Sequence, residues 1–135
     1  MKYLFDTNLF LDILLARESA SIVERVIIGI GTDEIGISDF SLFSIGIYLD
    51  RKKKSSFFVQ FIDDMILSGG MEIVSLPPKA ILEIPNICNS YHLDFDDAYQ
   101  YQAARFYHLI LVSRDKDFDR VPDGRITPDE LNTDS

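Results

Sequence analysis

Four short apolar runs, separated by segments of helical length, constrain the fold of this chain more than any other feature. The runs are rich in Ile, Val and aromatic residues and cover residues 3–5, 35–38, 71–76 and 109–113. Short apolar runs of this kind are typical of buried strands. Strands that alternate with helices form a mostly parallel sheet covered on both faces, because each parallel connection crosses over the sheet. The sequence therefore predicts an α/β fold with three layers, α/β/α.

The segments between these runs carry helical patterns. Helices are predicted at residues 9–16, 19–29, 41–52, 55–67 and 94–107. The second of them places its apolar side chains on one face, as an amphipathic helix does. Pro78 suits the first turn of a further helix, whereas Pro85 is expected to break or kink the chain that follows. Short loops join these segments, so the sequence indicates one compact unit.

The organisation predicted for the 135 residues is a single domain at residues 1–126 and a frayed acidic tail at residues 127–135. The lone cysteine, Cys88, has no partner for an internal disulfide. The most apolar stretch, residues 22–30, is shorter than the roughly 20 residues that cross a bilayer. No secretory signal pattern is recognised at the amino terminus. We therefore expect a cytoplasmic protein with no membrane partner.

Acidic residues follow the first and last predicted strands directly. Asp6 comes after the first strand, and Asp115 and Asp117 come after the last. Asp97 lies near the start of the last predicted helix. Ligands of open parallel sheets bind outside the carboxyl ends of the strands. If the first and last strands are neighbours, these acids meet at one rim, and the sequence predicts a carboxylate pocket there.

A carboxylate pocket favours a hard divalent cation. Carboxylates packed together repel one another and stay ionised only where cations neutralise them. Mg²⁺ and Mn²⁺ prefer oxygen ligands, whereas two histidines and one cysteine offer too few ligands at zinc spacing. Each acid taken alone also fits a structural role, as a helix cap for Asp6, Asp94 and Asp97 or a turn residue for Asp115 and Asp117. Their coincidence favours the metal site.

Three motifs, in order and at their spacing, carry a family resemblance. They read YLFDTN at residues 3–8, LDFDDA at residues 93–98 and LVSRDKDF at residues 111–118. With these motifs the sequence resembles a PIN domain, in particular the stand-alone PIN toxins of VapBC-type toxin–antitoxin pairs. The resemblance spans nearly the whole chain.

The resemblance implies a metal-dependent endoribonuclease that hydrolyses RNA phosphodiester bonds. Asp6, Asp97 and Asp115 would hold Mg²⁺ or Mn²⁺, and Asp117 would add an outer or second-metal contact. Asn8 and Ser113 match polar residues that orient carboxylates or water in the family. A toxin of this kind implies an antitoxin as a protein partner and allows a homodimer.

One position departs from the family pattern. PIN domains usually carry a glutamate in the helix after the second strand, where this chain has SLFSIG at residues 41–46 and therefore Ser44. Asp39, just past the second strand, is a candidate replacement. The missing carboxylate should weaken metal binding, so a catalytically impaired PIN domain that binds RNA or regulates is the alternative. A phosphatase of the haloacid-dehalogenase type fits less well, because Asn8 stands where its second acid is needed.

The basic residues offer two candidate contacts with RNA. Arg114 and Lys116 interleave with the site acids and are predicted to meet the RNA backbone, although Arg114 equally suits a pair with a neighbouring carboxylate. The basic run at residues 51–54 is either a solvated helix end or a phosphate clamp. The net charge of −9 opposes nucleic acid at first sight. The pocket acids and the acids of the tail account for most of it, so the remainder of the chain is close to neutral.

Overall fold

The computed structural model describes residues 1–132 and contains the predicted parallel sheet. Its strands are β1 (Tyr3–Phe5), β2 (Ile35–Ser38), β3 (Glu72–Val74) and β4 (Ile110–Val112). The strand order is β3-β2-β1-β4, and every neighbouring pair is parallel. Leu4 of β1 lies opposite Gly36 of β2 on one side and Leu111 of β4 on the other. The α/β prediction is confirmed.

The helices include every segment that was predicted to be helical and two that were not, at residues 84–91 and 128–131. They are α1 (Thr7–Leu14), α2 (Ala20–Ile30), α3 (Asp39–Arg51), α4 (Ser55–Phe61), α5 (Pro78–Ile81), α6 (Ile84–Tyr91), α7 (Phe95–Phe106) and α8 (Pro128–Leu131). One prediction needs correction, because residues 62–67 continue α4 as a π-helix rather than an α-helix. The break expected at Pro85 is present: α5 ends at Ile81, and Pro85 lies in the first turn of the separate helix α6, where its missing N–H is not needed.

Alternate strand residues face two separate helical layers. Leu4 and Leu111 pack against α5, α6 and α7, whereas Phe5 and Val112 pack against α1 to α4. Successive side chains of a strand point to opposite faces, so short, continuously apolar strands suit a sheet covered on both sides. Among the described residues, no helix has both the length and the hydropathy that crossing a membrane requires.

The strand order reverses between β1 and β4. The chain runs outward from β1 to β2 and β3, and the long connection through α5, α6 and α7 then returns it to the opposite side of β1. The carboxyl ends of β1 and β4 therefore lie side by side. Such a reversal opens a crevice at the end of a parallel sheet. The acids that follow these two strands are brought to this crevice.

The expectation of a frayed end is wrong for residues 127–132. Ile126 pairs with Val112 as a further parallel bridge, and α8 then packs against α2. Pro128 is buried and Leu131 joins the core on that face. These three apolar side chains are spread through a polar stretch, which is why composition concealed them. Residues 133–135 lie outside the described residues.

The docking of α8 can be tested at Leu131. Its side chain is partly buried against the core, so Leu131→Ala is expected to lower the free energy of unfolding by about 1–2 kcal/mol. Chemical denaturation measures this change. The exposed Asp129 on the same helix provides the control, and Asp129→Ala should change stability by less than about 0.5 kcal/mol. Equal effects of the two substitutions would contradict the docking.

Candidate functional site

Asp6 lies at the junction of β1 and α1, with both carboxylate oxygens hydrogen-bonded. Its Oδ1 accepts from the Thr7 backbone N at 2.9 Å and from Gln100 Nε2 at 3.2 Å. Its Oδ2 accepts from the Ser113 hydroxyl at 2.7 Å. Burial raises the pKa of Asp6, the hydrogen bonds oppose the rise, and the charge of Asp115 adds to it. The capping role expected of Asp6 and its place at the site therefore coexist.

The turn after β4 is fixed by its own side chains. Ser113 is fully buried, and its hydroxyl accepts from the Asp115 backbone N at 3.0 Å. Asp115 then caps a 3₁₀ helix at Lys116–Arg120, where its Oδ1 accepts from the Asp117 backbone N at 2.9 Å. This turn directs Asp115 and Asp117 towards the crevice beside Asp6.

The start of α7 brings the fourth acid. Asp97 lies in the first turn and is partly buried, and its carboxylate oxygen lies within 4.8 Å of oxygens of Asp115 and Asp117. Burial first, and then the charges of Asp96, Asp115, Asp6 and Asp117, raise the pKa of Asp97 to about 7. A group of carboxylates whose like charges repel one another is chemically suited to a hard divalent cation.

Asp94 occupies the N-cap position of α7, but its side chain makes no capping hydrogen bond. Instead Asp94, Asp96 and Asp97 form a second, more exposed acidic group. Capping alone therefore does not explain the acidic motif at residues 94–97.

The residues predicted to surround the acids have different environments. Asn8 and Lys116 are exposed. Arg114 forms an ion pair with Asp12 of α1 at 3.0 Å, which is the carboxylate partner considered as the alternative to RNA. Asp12 is 7% exposed and is also bound by Arg17 and Ser19. The pair ties the loop after β4 to α1 and leaves a third of the Arg114 side chain exposed, so the RNA contact of Arg114 stays a prediction.

Arg120 is a residue that sequence analysis missed. Its Nη2 lies 3.1 Å from Asp117 Oδ1, and its Nη1 donates to the backbone carbonyl oxygen of His92 at 2.6 Å. It is about half exposed at the rim of the acidic group. The spacing of three residues from Asp117 was the available signal, but such spacing is common on helices.

No carboxylate of α3 joins the acidic group among the described residues. Ser44 is half-buried in α3. Asp39 Oδ1 accepts from the Tyr99 hydroxyl at 2.6 Å and from the Phe40 backbone N at 2.8 Å. Burial and the hydrogen bond to Asp39 raise the pKa of Tyr99 to about 12. The structure thus turns Asp39 towards Tyr99 and leaves it outside the group of Asp97, Asp115 and Asp117.

The basic run at residues 51–54 lies at the far end of α3. The amino end of this helix begins beside the site at Ser38, whereas Arg51 is its last residue. Thirteen helical residues separate these ends by about 18 Å, since each residue rises about 1.5 Å. The run is exposed, and this position fits a solvated helix end better than a phosphate clamp.

Comparison with known proteins agrees with this arrangement. A family model described as the PIN domain matches residues 3–124. The chain belongs to the PIN-domain family. The matched range contains both edge strands of the sheet, β3 and β4, and all four acids of the PIN-domain crevice. No curated protein sequence matches the chain significantly.

Solved structures share the fold of this PIN domain at low sequence identity. A toxin–antitoxin complex from Klebsiella pneumoniae is 22% identical, with a TM-score of 0.73, and the match covers 94% of this chain and 98% of that one. VapBC2 from Rickettsia felis, bound to a promoter DNA fragment, is 20% identical, with a TM-score of 0.72 and coverage of 94% and 97%. A protein from Pyrobaculum aerophilum is 18% identical, with a TM-score of 0.68 and coverage of 97% and 92%.

Proposed function

We propose that this PIN domain is a divalent-metal-dependent endoribonuclease that acts as the toxin of a toxin–antitoxin pair. The observation that carries the proposal is the group of Asp97, Asp115 and Asp117 oxygens within 4.8 Å of one another. Asp6 lies beside this group, close enough for its charge to act on Asp97. Mutual repulsion in a partly buried crevice makes a cation the natural counterpart of these acids.

The four acids divide the work of the proposed site. Asp6, Asp97 and Asp115 would hold Mg²⁺ or Mn²⁺, and the short distances from Asp117 to Asp97 and Asp115 favour its use as a further ligand. When bound, the metal lowers the pKa of a coordinated water and offsets charge on the scissile phosphate. Ser113 keeps Asp6 and the Asp115 turn in place through its two hydrogen bonds.

Cationic side chains at the rim would meet the RNA backbone. Lys116 is exposed beside the acids, and Arg120 is about half exposed on Asp117. Asn8 is exposed at the start of α1 and is available to orient water or substrate. Phosphate contacts of this kind position RNA without reading its sequence.

The alternative function is an impaired PIN domain that binds RNA or regulates. Ser44 favours it, because α3 contributes no carboxylate to the acidic group among residues 1–132. Fewer anionic ligands lower the affinity for a divalent cation. RNA binding without cleavage would then be the expected behaviour.

The partner proposed for the toxin role is an antitoxin, since two of the similar structures are toxin–antitoxin complexes. A second copy of the chain is the other proposed partner. Exposed apolar side chains on α3 and α4 offer a surface for it: Phe43, Ile47, Phe57 and Val59. Light scattering of the purified chain separates a monomer from a dimer.

Cleavage of a structured RNA tests the function directly. We expect hydrolysis in Mg²⁺ or Mn²⁺, none in EDTA, and a loss of about 100-fold or more in Asp115→Asn, because even supporting residues of metal sites contribute 10- to 100-fold. Asp129→Asn is the matched control, since it removes one exposed acid of α8. Wild-type cleavage no faster than that of Asp115→Asn, together with retained RNA binding, would favour the impaired domain.

A further inference from the structure

Gln100 is a buried polar residue that belongs to no motif of the site. It lies one turn after Asp97 on α7 and is 2% exposed. Its Nε2 donates to Asp6 Oδ1 at 3.2 Å, and its Oε1 accepts from the Ser38 hydroxyl at 2.5 Å. A buried amide with both ends bonded holds one orientation, because rotating it would leave polar atoms unpaired.

Ser38 determines which end of the amide faces Asp6. Its hydroxyl oxygen accepts from the Ser41 backbone N at 3.0 Å as the N-cap of α3. The hydroxyl hydrogen is then free to be donated to Gln100 Oε1, which leaves Nε2 to face the carboxylate. The opposite orientation would set the carbonyl oxygen of Gln100 against an oxygen of Asp6. Ser38 at one end of the amide and Asp6 at the other therefore favour the same orientation of Gln100.

Asp6 is held in a similar way from both neighbouring strands. Ser113 follows β4 and donates to Oδ2, while Ser38 ends β2 and acts on Oδ1 through Gln100. Each serine also accepts a backbone N–H from the element that follows it, Ser41 for Ser38 and Asp115 for Ser113. The carboxylate between them has little freedom to rotate.

We propose that Gln100 is a positioning residue that fixes the carboxylate of Asp6 for divalent-metal binding, with Ser38 setting the orientation of its amide. The proposal rests on the proposed metal-dependent function. It assigns to α7 two tasks one helical turn apart, an acid at Asp97 and a neutral donor at Gln100. It also gives α3 a part in the site, through Ser38, although α3 brings no carboxylate to the acidic group described in residues 1–132.

The matched control is a second glutamine of the same helix. Gln102 is also 2% exposed, but its Nε2 donates to the Ala80 carbonyl oxygen at 3.0 Å and to Glu83, away from Asp6. Replacing either glutamine by leucine removes a buried amide and keeps a similar volume. Only Gln100→Leu removes a donor from Asp6.

The measurement is Mn²⁺ affinity, by titration of the full chain with paramagnetic resonance detection. Gln100→Leu is expected to bind Mn²⁺ about 10- to 100-fold more weakly than the wild type, as for other residues that orient metal ligands. Gln102→Leu should stay within about twofold of the wild type, because it leaves the contacts of Asp6 in place. Equal weakening in both variants would overturn the proposal, since the cause would then be a general loss of packing.

Two further measurements separate the possible failures. If Gln100→Leu does not fold, Ser38→Ala takes its place, since it removes the hydroxyl that orients the amide; an unchanged Mn²⁺ affinity in that variant would overturn the proposal. If the wild type itself binds no Mn²⁺, the proposed function fails. The positioning role is then decided by a crystal structure of whichever variant folds, Gln100→Leu or Ser38→Ala. An Asp6 carboxylate that has not rotated in that structure would overturn the proposal.

Discussion

The melting temperature of the metal-free protein is expected to rise as the pH is lowered from about 8 to about 5. The cause is Asp97, because its burial and the neighbouring carboxylates raise its pKa from 3.8 to about 7. Between these values the folded state binds more protons than the unfolded state, so stability falls as the pH rises. The raised pKa of Asp6 acts in the same direction. This stabilisation is complete below the unfolded pKa and is lost above about 7.

A divalent cation should offset this loss of stability near neutral pH. If Mg²⁺ or Mn²⁺ binds the ionised acids of the folded state, as proposed, the melting temperature should rise with metal concentration. Asp97→Asn should raise the melting temperature in EDTA at pH about 8, because it removes one of several like charges, and should abolish most of the stabilisation by metal. Asp129→Asn should do neither. Thermal melts across pH, with and without metal, measure the pH dependence, the stabilisation by metal and the effects of the two substitutions.

The opposite signs expected for Asp97→Asn without and with metal make this test decisive. Most single substitutions destabilise a protein, whereas Asp97→Asn is expected to stabilise the metal-free form and destabilise the metal-bound form relative to the wild type. A melting temperature that depends on neither pH nor metal would contradict a metal centre at these acids.

The four acids could be predicted from the sequence because the backbone alone determines where they lie. Asp6 and Asp115 follow strands, and parallel strands end at the same edge of a sheet. Asp97 opens a helix whose limits are clear from its pattern. Each prediction required only a strand end or a helix start, which local patterns reveal. Their grouping in the crevice followed once β1 and β4 were neighbours.

The partners of the polar side chains could not be predicted in the same way. Arg114 pairs with Asp12, and Gln100 reaches Asp6, across distances of 102 and 94 residues along the chain. These contacts depend on which helical faces meet in three dimensions. Gln100 also lies in a helix whose residues 98–104 are all buried, so no amphipathic pattern distinguishes a positioning amide from a core residue.

Introducing a carboxylate in α3 should strengthen metal binding. Ser44 lies one helical turn after Ser41, whose hydroxyl lies 2.7 Å from that of Thr7, the neighbour of Asp6. Residues three apart share a helical face, so we expect a longer acidic side chain at position 44 to extend towards the same crevice. Ser44→Glu is expected to increase Mn²⁺ affinity about tenfold, because affinity for hard cations grows with the number of anionic ligands.

Ser44→Gln is the control, since glutamine has the size of glutamate and no charge. It should leave Mn²⁺ affinity unchanged, and equal affinities for the two variants would contradict a lost ligand position in α3. Without metal, Ser44→Glu should lower the melting temperature, because it adds a negative charge to a group that already repels itself. This is the opposite of the effect expected for Asp97→Asn. If Ser44→Glu also accelerates RNA cleavage while the wild type cleaves only slowly, the serine at this position limits an otherwise complete ribonuclease site.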